Sequence, residues 1–288
     1  MRTAIFVISL LIIGFAGTLP AQEFVYPQTT ELVTFVEGAV QLMSTEGLAA
    51  FDKFRDNTGE WFKGDDYIFV WEEGGTRIVY PPDAMGEGQD MNGLLDSDGR
   101  QIGRLIIETA QNGGGWVHYK WPRPGREVPE WKSTYILPAT LGAGTSYIVG
   151  SGKYGLPTEP AFVVDAVRRA VELVETVGPA AFPEIGDLVG DFVFLDTYVF
   201  IKDMDGNEVL NPLNPDLQGK SLLEMPDANG KLFVKEELDL LAEQDEIWFD
   251  YAWPRPSDNQ VANKRVFLKK APFGDIVYVV GAGYYPAE

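Results

Sequence analysis

The feature that most constrains the fold of this chain is an internal repeat. An offset of 131 residues aligns the segment YIFV that begins at Tyr67 with the segment YVFI that begins at Tyr198. The same offset aligns further pairs of residues: Gly75 with Gly206, Pro81 with Pro212, Gly88 with Gly219, Asp96 with Asp227, and Val149 with Val280. Because this register is kept over most of each half, the sequence predicts one domain fold built twice.

The longest shared motif is VHYKWPRPGREVPEWK at residues 117–132, which returns as FDYAWPRPSDNQVANK at residues 249–264. Both copies keep Tyr-x-Trp-Pro-Arg-Pro and place a lysine eleven residues after the tryptophan. Alternate side chains of a strand share a face, so Val117, Tyr119 and Trp121 are expected on one side of a sheet. The proline that follows removes a hydrogen-bond donor and is expected to end the strand.

Each copy has the same predicted order of elements. An amphipathic helix is followed by a strand at residues 67–71 or 198–202 and by a glycine-bearing turn into a short strand. A short helix is predicted near residues 103–110 or 233–242, ahead of three further strands. This order indicates an α+β fold in which each copy has a long N-terminal helix and a five-stranded antiparallel sheet.

The N-terminus has the composition of a secretory signal. Arg2 precedes an apolar run at residues 4–15, and small residues then lead to an expected cleavage after Ala21. An uncleaved membrane anchor is the alternative interpretation. We therefore expect a signal peptide at residues 1–21, domains at residues 22–156 and 157–288, and a periplasmic or secreted protein whose output passes to a separate partner.

The composition excludes several classes of site. The chain has no cysteine and one histidine, His118, which excludes disulfides, thiolate metal sites and histidine-rich metal centres. The formal charge of −20 argues against a nucleic-acid partner. No G-x-S-x-G elbow is present, so an enzyme is not expected, and we expect neither a cofactor nor a metal. Asp96 and Asp98 precede the predicted short helix and are expected to cap it, with weak binding of a cation as the alternative.

These motifs together resemble the Cache domains, most closely the single-Cache type repeated in tandem. The resemblance rests on the glycine turn, D-x-D-G, Y-x-W-P-x-P followed by K-x-x-Y, and the closing V-G-x-G-x-Y at residues 149–154. It implies a PAS-like antiparallel sheet whose pocket binds small molecules, often short carboxylates, amino acids or amines.

The candidate ligand-binding residues fall on the third and fourth strands. The first copy supplies Tyr119, Trp121, Lys132 and Tyr135, and the second supplies Tyr251, Trp253 and Lys264. An aromatic wall beside one fixed cation suits a small carboxylate. Tyr135 completes the K-x-x-Y pattern, whereas the second copy has Phe267 there, so the first copy is favoured as the binding domain.

The resulting hypothesis is an exported sensor that binds a small organic ligand, a carboxylate in our interpretation. Its signal would pass to a membrane histidine kinase, a chemoreceptor or a transporter. The alternative is an extracytoplasmic interaction or scaffold module whose pockets are filled by its own side chains.

Overall fold

The computed structural model describes residues 24–142 and 144–286. The predicted signal peptide at residues 1–21 lies outside the described residues. Within the described part of the chain, no helix is both long enough and apolar enough to cross a membrane.

The first repeat opens with a long helix, as its sequence pattern predicts. Its helices are α1 (Pro27–Glu46), α2 (Ala50–Arg55) and α3 (Ile102–Gln111). Its strands are β1 (Phe62–Lys63), β2 (Asp66–Tyr67), β3 (Phe69–Glu72), β4 (Arg77–Val79), β5 (Gly115–Pro122), β6 (Pro129–Leu141) and β7 (Thr145–Tyr154). The Trp-Pro dipeptide ends β5, in agreement with the prediction from the proline.

The second repeat has the same order of elements. Its helices are α4 (Pro160–Val177), α5 (Phe182–Ile185) and α6 (Phe233–Glu243). Its strands are β8 (Val193–Phe194), β9 (Thr197–Asp203), β10 (Glu208–Leu210), β11 (Glu246–Pro254), β12 (Val261–Phe273) and β13 (Ile276–Tyr284). The predicted α+β fold is therefore confirmed in both halves.

Each repeat is organised around one antiparallel sheet. The strand order is β4-β3-β7-β6-β5 in the first repeat and β10-β9-β13-β12-β11 in the second, where β8 also pairs with β9. The last strand of each repeat therefore lies in the centre of its sheet: β7 lies between β3 and β6, and β13 lies between β9 and β12. This order places the closing V-G-x-G-x-Y strand beside the strand that carries the repeated lysine, which is Lys132 in β6 and Lys264 in β12.

The two faces of each sheet bury different groups. One face packs against the long helix, where α1 buries Leu32, Val36 and Met43 over β6 and β7, and α4 packs in the same way on β12 and β13. The apolar clusters under α1 and α4 merge into one core that spans both repeats. The other face of each sheet carries a separate cluster, covered by α3 or α6. The candidate site lies on this second face.

The prediction that Asp96 and Asp98 cap the short helix is wrong. The cap position of α3 is Gln101, which makes no side-chain cap hydrogen bond. The Asp96 carboxylate instead accepts hydrogen bonds from the backbone N–H of Asp98, Arg100 and Lys120 at 2.9–3.0 Å. Because Lys120 lies in β5, this carboxylate fastens the loop before α3 to the sheet. In the second repeat, the Asp227 carboxylate likewise accepts hydrogen bonds from the backbone N–H of Asn229, Lys231 and Ala252.

Candidate functional site

The first repeat encloses a narrow cavity between its sheet and α3. The cavity measures about 20 Å³, which is room for about one water molecule. Its lining is mostly aromatic and aliphatic, with one cation: Tyr67, Phe69, Trp71, Arg77, Tyr80, Leu94, Ile102, Ile106, Tyr119 and Trp121. A ligand larger than a water molecule would therefore require the lining side chains to move apart.

Lys132 is one of two cations buried at this site. The residue is 1% exposed, and its Nζ donates a hydrogen bond to the Tyr67 hydroxyl at 3.0 Å. The Nζ also lies 4.4 Å and 4.9 Å from the ring centroids of Tyr67 and Tyr154. Lys132 stands opposite Tyr119 in the β5–β6 register, so both side chains leave the sheet on the cavity face. Lys132 itself is not among the residues that line the cavity, and its ammonium contacts the cavity wall at Tyr67.

Arg77 is the second buried cation, and it lines the cavity directly. The residue is 7% exposed, and its Cζ lies 4.1 Å from the ring centroid of Tyr80. Its Nε has no hydrogen-bond partner among the residues that the structure describes. A side chain on Gly86 would reach within 2.8 Å of Arg77 Nη1, so the glycine makes room for the guanidinium.

The charge at this site is not balanced within the described residues. None of the lining residues is acidic, and neither Lys132 nor Arg77 forms a salt bridge in residues 24–142 and 144–286. Burying an ion without a counter-ion is costly, and aromatic rings and one hydroxyl compensate only part of that cost. The site is therefore electrostatically suited to an anion.

The closing V-G-x-G segment explains how Lys132 is accommodated. A side chain at Gly152 would approach the Cε of Lys132 to 2.7 Å and the Oγ1 of Thr134 to 2.3 Å. A side chain at Gly150 would approach the Phe69 ring to 2.4 Å. These glycines let β7 lie beside β6 and β3 while large side chains cross above the backbone. Thr134 then donates a hydrogen bond to the Tyr119 hydroxyl at 2.9 Å.

The corner after the motif is held by the closing tyrosine. The Tyr154 hydroxyl donates to the carbonyl of Pro122 at 2.9 Å, and Tyr285 makes the same bond to Pro254 at 2.7 Å. Arg123 is not among the residues that line the cavity, and it pairs with Asp65 at 2.7 Å and Glu130 at 2.9 Å. The repeated Trp-Pro-Arg-Pro motif therefore forms a fixed corner at the edge of the sheet.

The structure brings together only some of the candidate residues. Tyr119 and Trp121 line the first cavity, and burial raises the pKa of Tyr119 to about 12. Tyr135 lies on the opposite face, with its ring 5.0 Å from that of Trp116. The reason is strand alternation, because a residue three positions after Lys132 faces the other way. The structure therefore places Tyr135 in the helix-facing core and away from the cavity.

Sequence reasoning missed Arg77, Tyr67 and Tyr80 as members of the first cavity. Tyr67 stands in an aligned segment of the repeat, which was a signal for an important position. Arg77 gave no such signal, because the aligned residue in the second repeat is Glu208. Its role emerges only when β4 is placed beside β3 at the edge of the sheet.

The second repeat encloses a cavity of about 10 Å³ at the equivalent place. Two of the three candidate residues of this repeat, Tyr251 and Trp253, line it, and Lys264 does not; the other lining residues are Tyr198, Phe200, Lys202, Glu208, Asn211, Leu217, Leu222 and Phe233. Lys264 is fully buried, and its Nζ lies 4.0 Å from the ring centroid of Tyr198. Burial, together with the positive charge of Lys202, lowers the pKa of Lys264 to about 7.

Family comparisons agree with this architecture. Residues 49–154 match the model of Single Cache domain 2, and residues 183–287 match that of a Cache domain. The methyl-accepting chemotaxis protein McpP of Pseudomonas putida is 33% identical over 91 residues, or 31% of this chain. The sensor histidine kinase MctS of Rhizobium johnstonii is 31% identical over 90 residues, or 31% of this chain. The aligned parts are 16% and 19% of the lengths of those relatives.

A solved Cache chemosensory domain, described as recognising carboxylic acid, is also similar. It is 23% identical, with a TM-score of 0.37, and the alignment covers 45% of this chain and 94% of that chain. The two family matches fall one in each repeat, on the same cavity-bearing α+β unit. This chain therefore belongs to the Cache family, as a tandem of two Cache domains.

Proposed function

We propose that the first Cache domain binds a short organic carboxylate and that the chain acts as an extracytoplasmic sensor. One observation carries the proposal, namely that Arg77 lines an aromatic cavity with no acidic lining residue and that a second buried cation, Lys132, contacts the cavity wall at Tyr67. A bound carboxylate would neutralise this charge and would accept hydrogen bonds from the ammonium and the guanidinium. Because the cavity has room for about one water molecule, binding of a carboxylate would require the lining side chains to move apart.

The role in signalling is supported by the named relatives. One is a chemotaxis protein and the other a sensor histidine kinase, and in each the aligned segment is less than a fifth of the whole protein. We propose that this chain supplies a sensing unit and passes its occupancy to a separate histidine kinase, chemoreceptor or transporter. We also propose a signal peptide at residues 1–21 and two domains, at residues 22–156 and 157–288.

Calorimetric titration of the purified chain with acetate, propionate and lactate tests the proposal. We expect one-to-one binding of at least one of them, and a loss of roughly tenfold or more in Lys132→Met and in Arg77→Gln, because each variant removes a charge-assisted hydrogen bond. The matched variant Lys264→Met alters the aligned lysine of the second repeat and should leave the affinity for carboxylate within about twofold. Equal affinities in all four proteins would contradict the proposal.

The alternative function is an interaction module with filled pockets. The small size of both cavities, about 20 Å³ and 10 Å³, favours it. It predicts no heat with any carboxylate. It also predicts that Lys132→Met raises the free energy of unfolding, because an uncompensated buried charge is removed.

A further inference from the structure

The Pro-Arg-Pro corner that follows β5 in the first repeat returns after β11 in the second, but its ion pairs differ. In the first repeat, Arg123 donates from Nη1 to Asp65 at 2.7 Å, and its Nε and Nη2 donate to the two oxygens of Glu130 at 2.9 Å and 3.0 Å. The aligned arginine of the second repeat is Arg255, and Ala262 stands in the place of Glu130. The two repeats therefore show the same arginine with and without a bidentate carboxylate.

Arg255 keeps one acidic partner among the residues that the structure describes. Its Nη1 donates to Asp258 Oδ2 at 3.3 Å, whereas its Nε is buried and has no hydrogen-bond partner in the described part of the chain. The aspartate aligned with that of the first repeat, Asp196, instead accepts hydrogen bonds from the backbone N–H and the hydroxyl of Ser257 at 2.8 Å and 3.0 Å. A buried donor without an acceptor is costly, and a bidentate carboxylate would satisfy it.

We propose that this corner of the second Cache domain binds a glutamate or aspartate side chain of a partner protein. The incoming carboxylate accepts hydrogen bonds from the Nε–Nη2 edge of Arg255, as Glu130 does from Arg123. The resulting set of one guanidinium between two carboxylates is the set that the first repeat already contains. Arg255 lines neither of the two cavities, so the inference concerns a separate surface and does not depend on the carboxylate site of the first domain.

The position of the guanidinium is fixed by the loop around it. The backbone N–H of Arg255 donates to the carbonyl of Gln260 at 2.8 Å, and its carbonyl accepts from the N–H of Asn259 at 2.8 Å. The Tyr285 hydroxyl donates to the carbonyl of Pro254 at 2.7 Å, and the tyrosine ring centroid lies 5.6 Å from Arg255 Cζ. An arginine held in this way loses less conformational freedom when it binds.

The cleft beside Arg255 suits a carboxylate that is carried on a larger body. The Arg255 side chain is 34% exposed, and a single ion pair at such an exposed position is weak, so a free small acid gains little from it. The cleft measures about 500 Å³, and Pro157, Leu195 and Pro286 supply apolar parts of its wall. Asp196 also lines it, with its carboxylate already hydrogen-bonded. A peptide segment can add apolar contacts here to the ion pair.

Leu195 is the strongest sign of an apolar contact in this cleft. Its φ is 51°, in the left-handed region that disfavours a side chain, and the aligned residue of the first repeat is Gly64, with a φ of 63°. The Leu195 side chain is half-buried against the core that spans both repeats, and it also lines the cleft. The second repeat therefore has an apolar wall near Arg255 where the first repeat has no side chain. We expect an apolar residue next to the acidic one in the partner.

The probe for the test is the blocked tripeptide acetyl-Leu-Glu-Leu-amide, and its matched control is acetyl-Leu-Gln-Leu-amide. Both are titrated into the full chain at neutral pH while the side-chain Nε–H signal of Arg255 is followed by NMR. The Glu peptide should shift this signal, and the Gln peptide should bind at least roughly tenfold more weakly because it lacks the charge. Arg255→Gln, read from the backbone signals of the corner, should weaken binding of the Glu peptide by roughly the same factor.

Two exchanges between the repeats provide matched variants. Ala262→Glu supplies the internal carboxylate of the first repeat and should abolish binding of the Glu peptide at Arg255. Glu130→Ala removes that carboxylate from the first repeat, so the Nε–H signal of Arg123 should gain a response to the Glu peptide that the wild type lacks. Both positions lie opposite the tryptophan of the repeated motif in the neighbouring strand, so each exchange is made at the same strand register.

Several results would overturn the proposal. These are equal responses to the Glu and Gln peptides, no response of the Arg255 signal to either, or an undiminished affinity in Ala262→Glu. Propionate that binds at Arg255 as tightly as the Glu peptide would assign the site to a free acid instead. Binding that appears only in Glu288→Gln would assign it to Glu288, which follows the cleft-lining Pro286. Because the carboxylate titration of the first domain is read separately, the two proposals can fail independently.

Discussion

At residue 118, a buried histidine joins the first repeat to the second. Its ring stacks on Phe194 with centroids 4.3 Å apart and contacts Phe162 at 4.8 Å. Its Nδ1 shares a hydrogen bond with the Ser133 hydroxyl at 2.9 Å. Burial, together with the positive charges of Arg169 and Arg100, lowers the pKa of His118 to about 3. The folded protein therefore holds this histidine neutral.

The depressed pKa of His118 predicts a loss of stability in acid. The folded state resists a proton that the unfolded chain accepts near pH 6.5, so the contribution of His118 is complete above that pH. It declines by up to about 1.4 kcal/mol per pH unit as the pH falls from about 6.5 towards 3. Urea unfolding of the wild type and of His118→Asn at pH 7.5, 6 and 5 measures the difference. A free-energy difference that stays constant with pH would contradict this assignment.

At the scale of single elements, the V-G-x-G strands determine where the buried lysines go. Gly152 and Gly283 lie beside Lys132 and Lys264 at equivalent places, and a side chain there would approach the lysine Cε to 2.7 Å and 2.8 Å. Each glycine therefore clears the path along which its lysine crosses the sheet.

We therefore expect Gly152→Ala to displace Lys132 and to weaken carboxylate binding by roughly tenfold. Both Gly152→Ala and Gly283→Ala should lower the free energy of unfolding by about 1–3 kcal/mol, because each forces a crowded core to shift. Only Gly152→Ala should change the affinity for carboxylate. Calorimetry and urea unfolding of both variants measure this, and equal effects on affinity would show that the crowding acts through general stability alone.

At the scale of the whole molecule, Glu159 ties the two repeats together. It is fully buried just ahead of α4, and its carboxylate accepts hydrogen bonds from the backbone N–H of Val25 at 2.8 Å and Tyr26 at 2.9 Å. Arg100 provides a second tie, because its Nη2 donates to the carbonyl of Val193 at 2.8 Å. These contacts join the start of α1 and the loop before α3 to the second repeat.

Removal of the Glu159 carboxylate should therefore destabilise the whole chain. We expect Glu159→Ala to lower the free energy of unfolding by about 2–4 kcal/mol, because two backbone N–H groups lose a charged acceptor. The control Glu31→Ala removes an acid of α1 whose side chain is 67% exposed, and it should cost less than about 0.5 kcal/mol. Similar values for the two variants in urea unfolding would contradict the role of Glu159.

The sequence predicted the architecture better than the site. The repeat and its alternating strands predicted the α+β units and the cavity-facing positions of Tyr119 and Trp121. The K-x-x-Y pattern predicted Tyr135 at the ligand site, but strand alternation turns its side chain to the other face of the sheet. Arg77 and Glu208 were not found because their roles depend on β4 and β10 lying at the edges of the sheets, which no local pattern specifies.

The ion pair of the second cavity shows the same limit. Lys202 and Glu237 replace Trp71 and Ile106, and the two changes stand 35 residues apart in the chain. Taken alone, each charged residue would be predicted to lie at the surface, because charged residues are seldom buried. Only their contact in the folded chain shows that one compensates for the other.

The most direct test of the central claim is a crystal structure of the chain with bromoacetate, a short carboxylate whose bromine scatters anomalously. We expect an anomalous peak in the first cavity, with the carboxylate within hydrogen-bond distance of Lys132 Nζ or of the Arg77 guanidinium. A peak confined to the second cavity or to the surface, or no peak at a concentration that saturates acetate binding in solution, would contradict it.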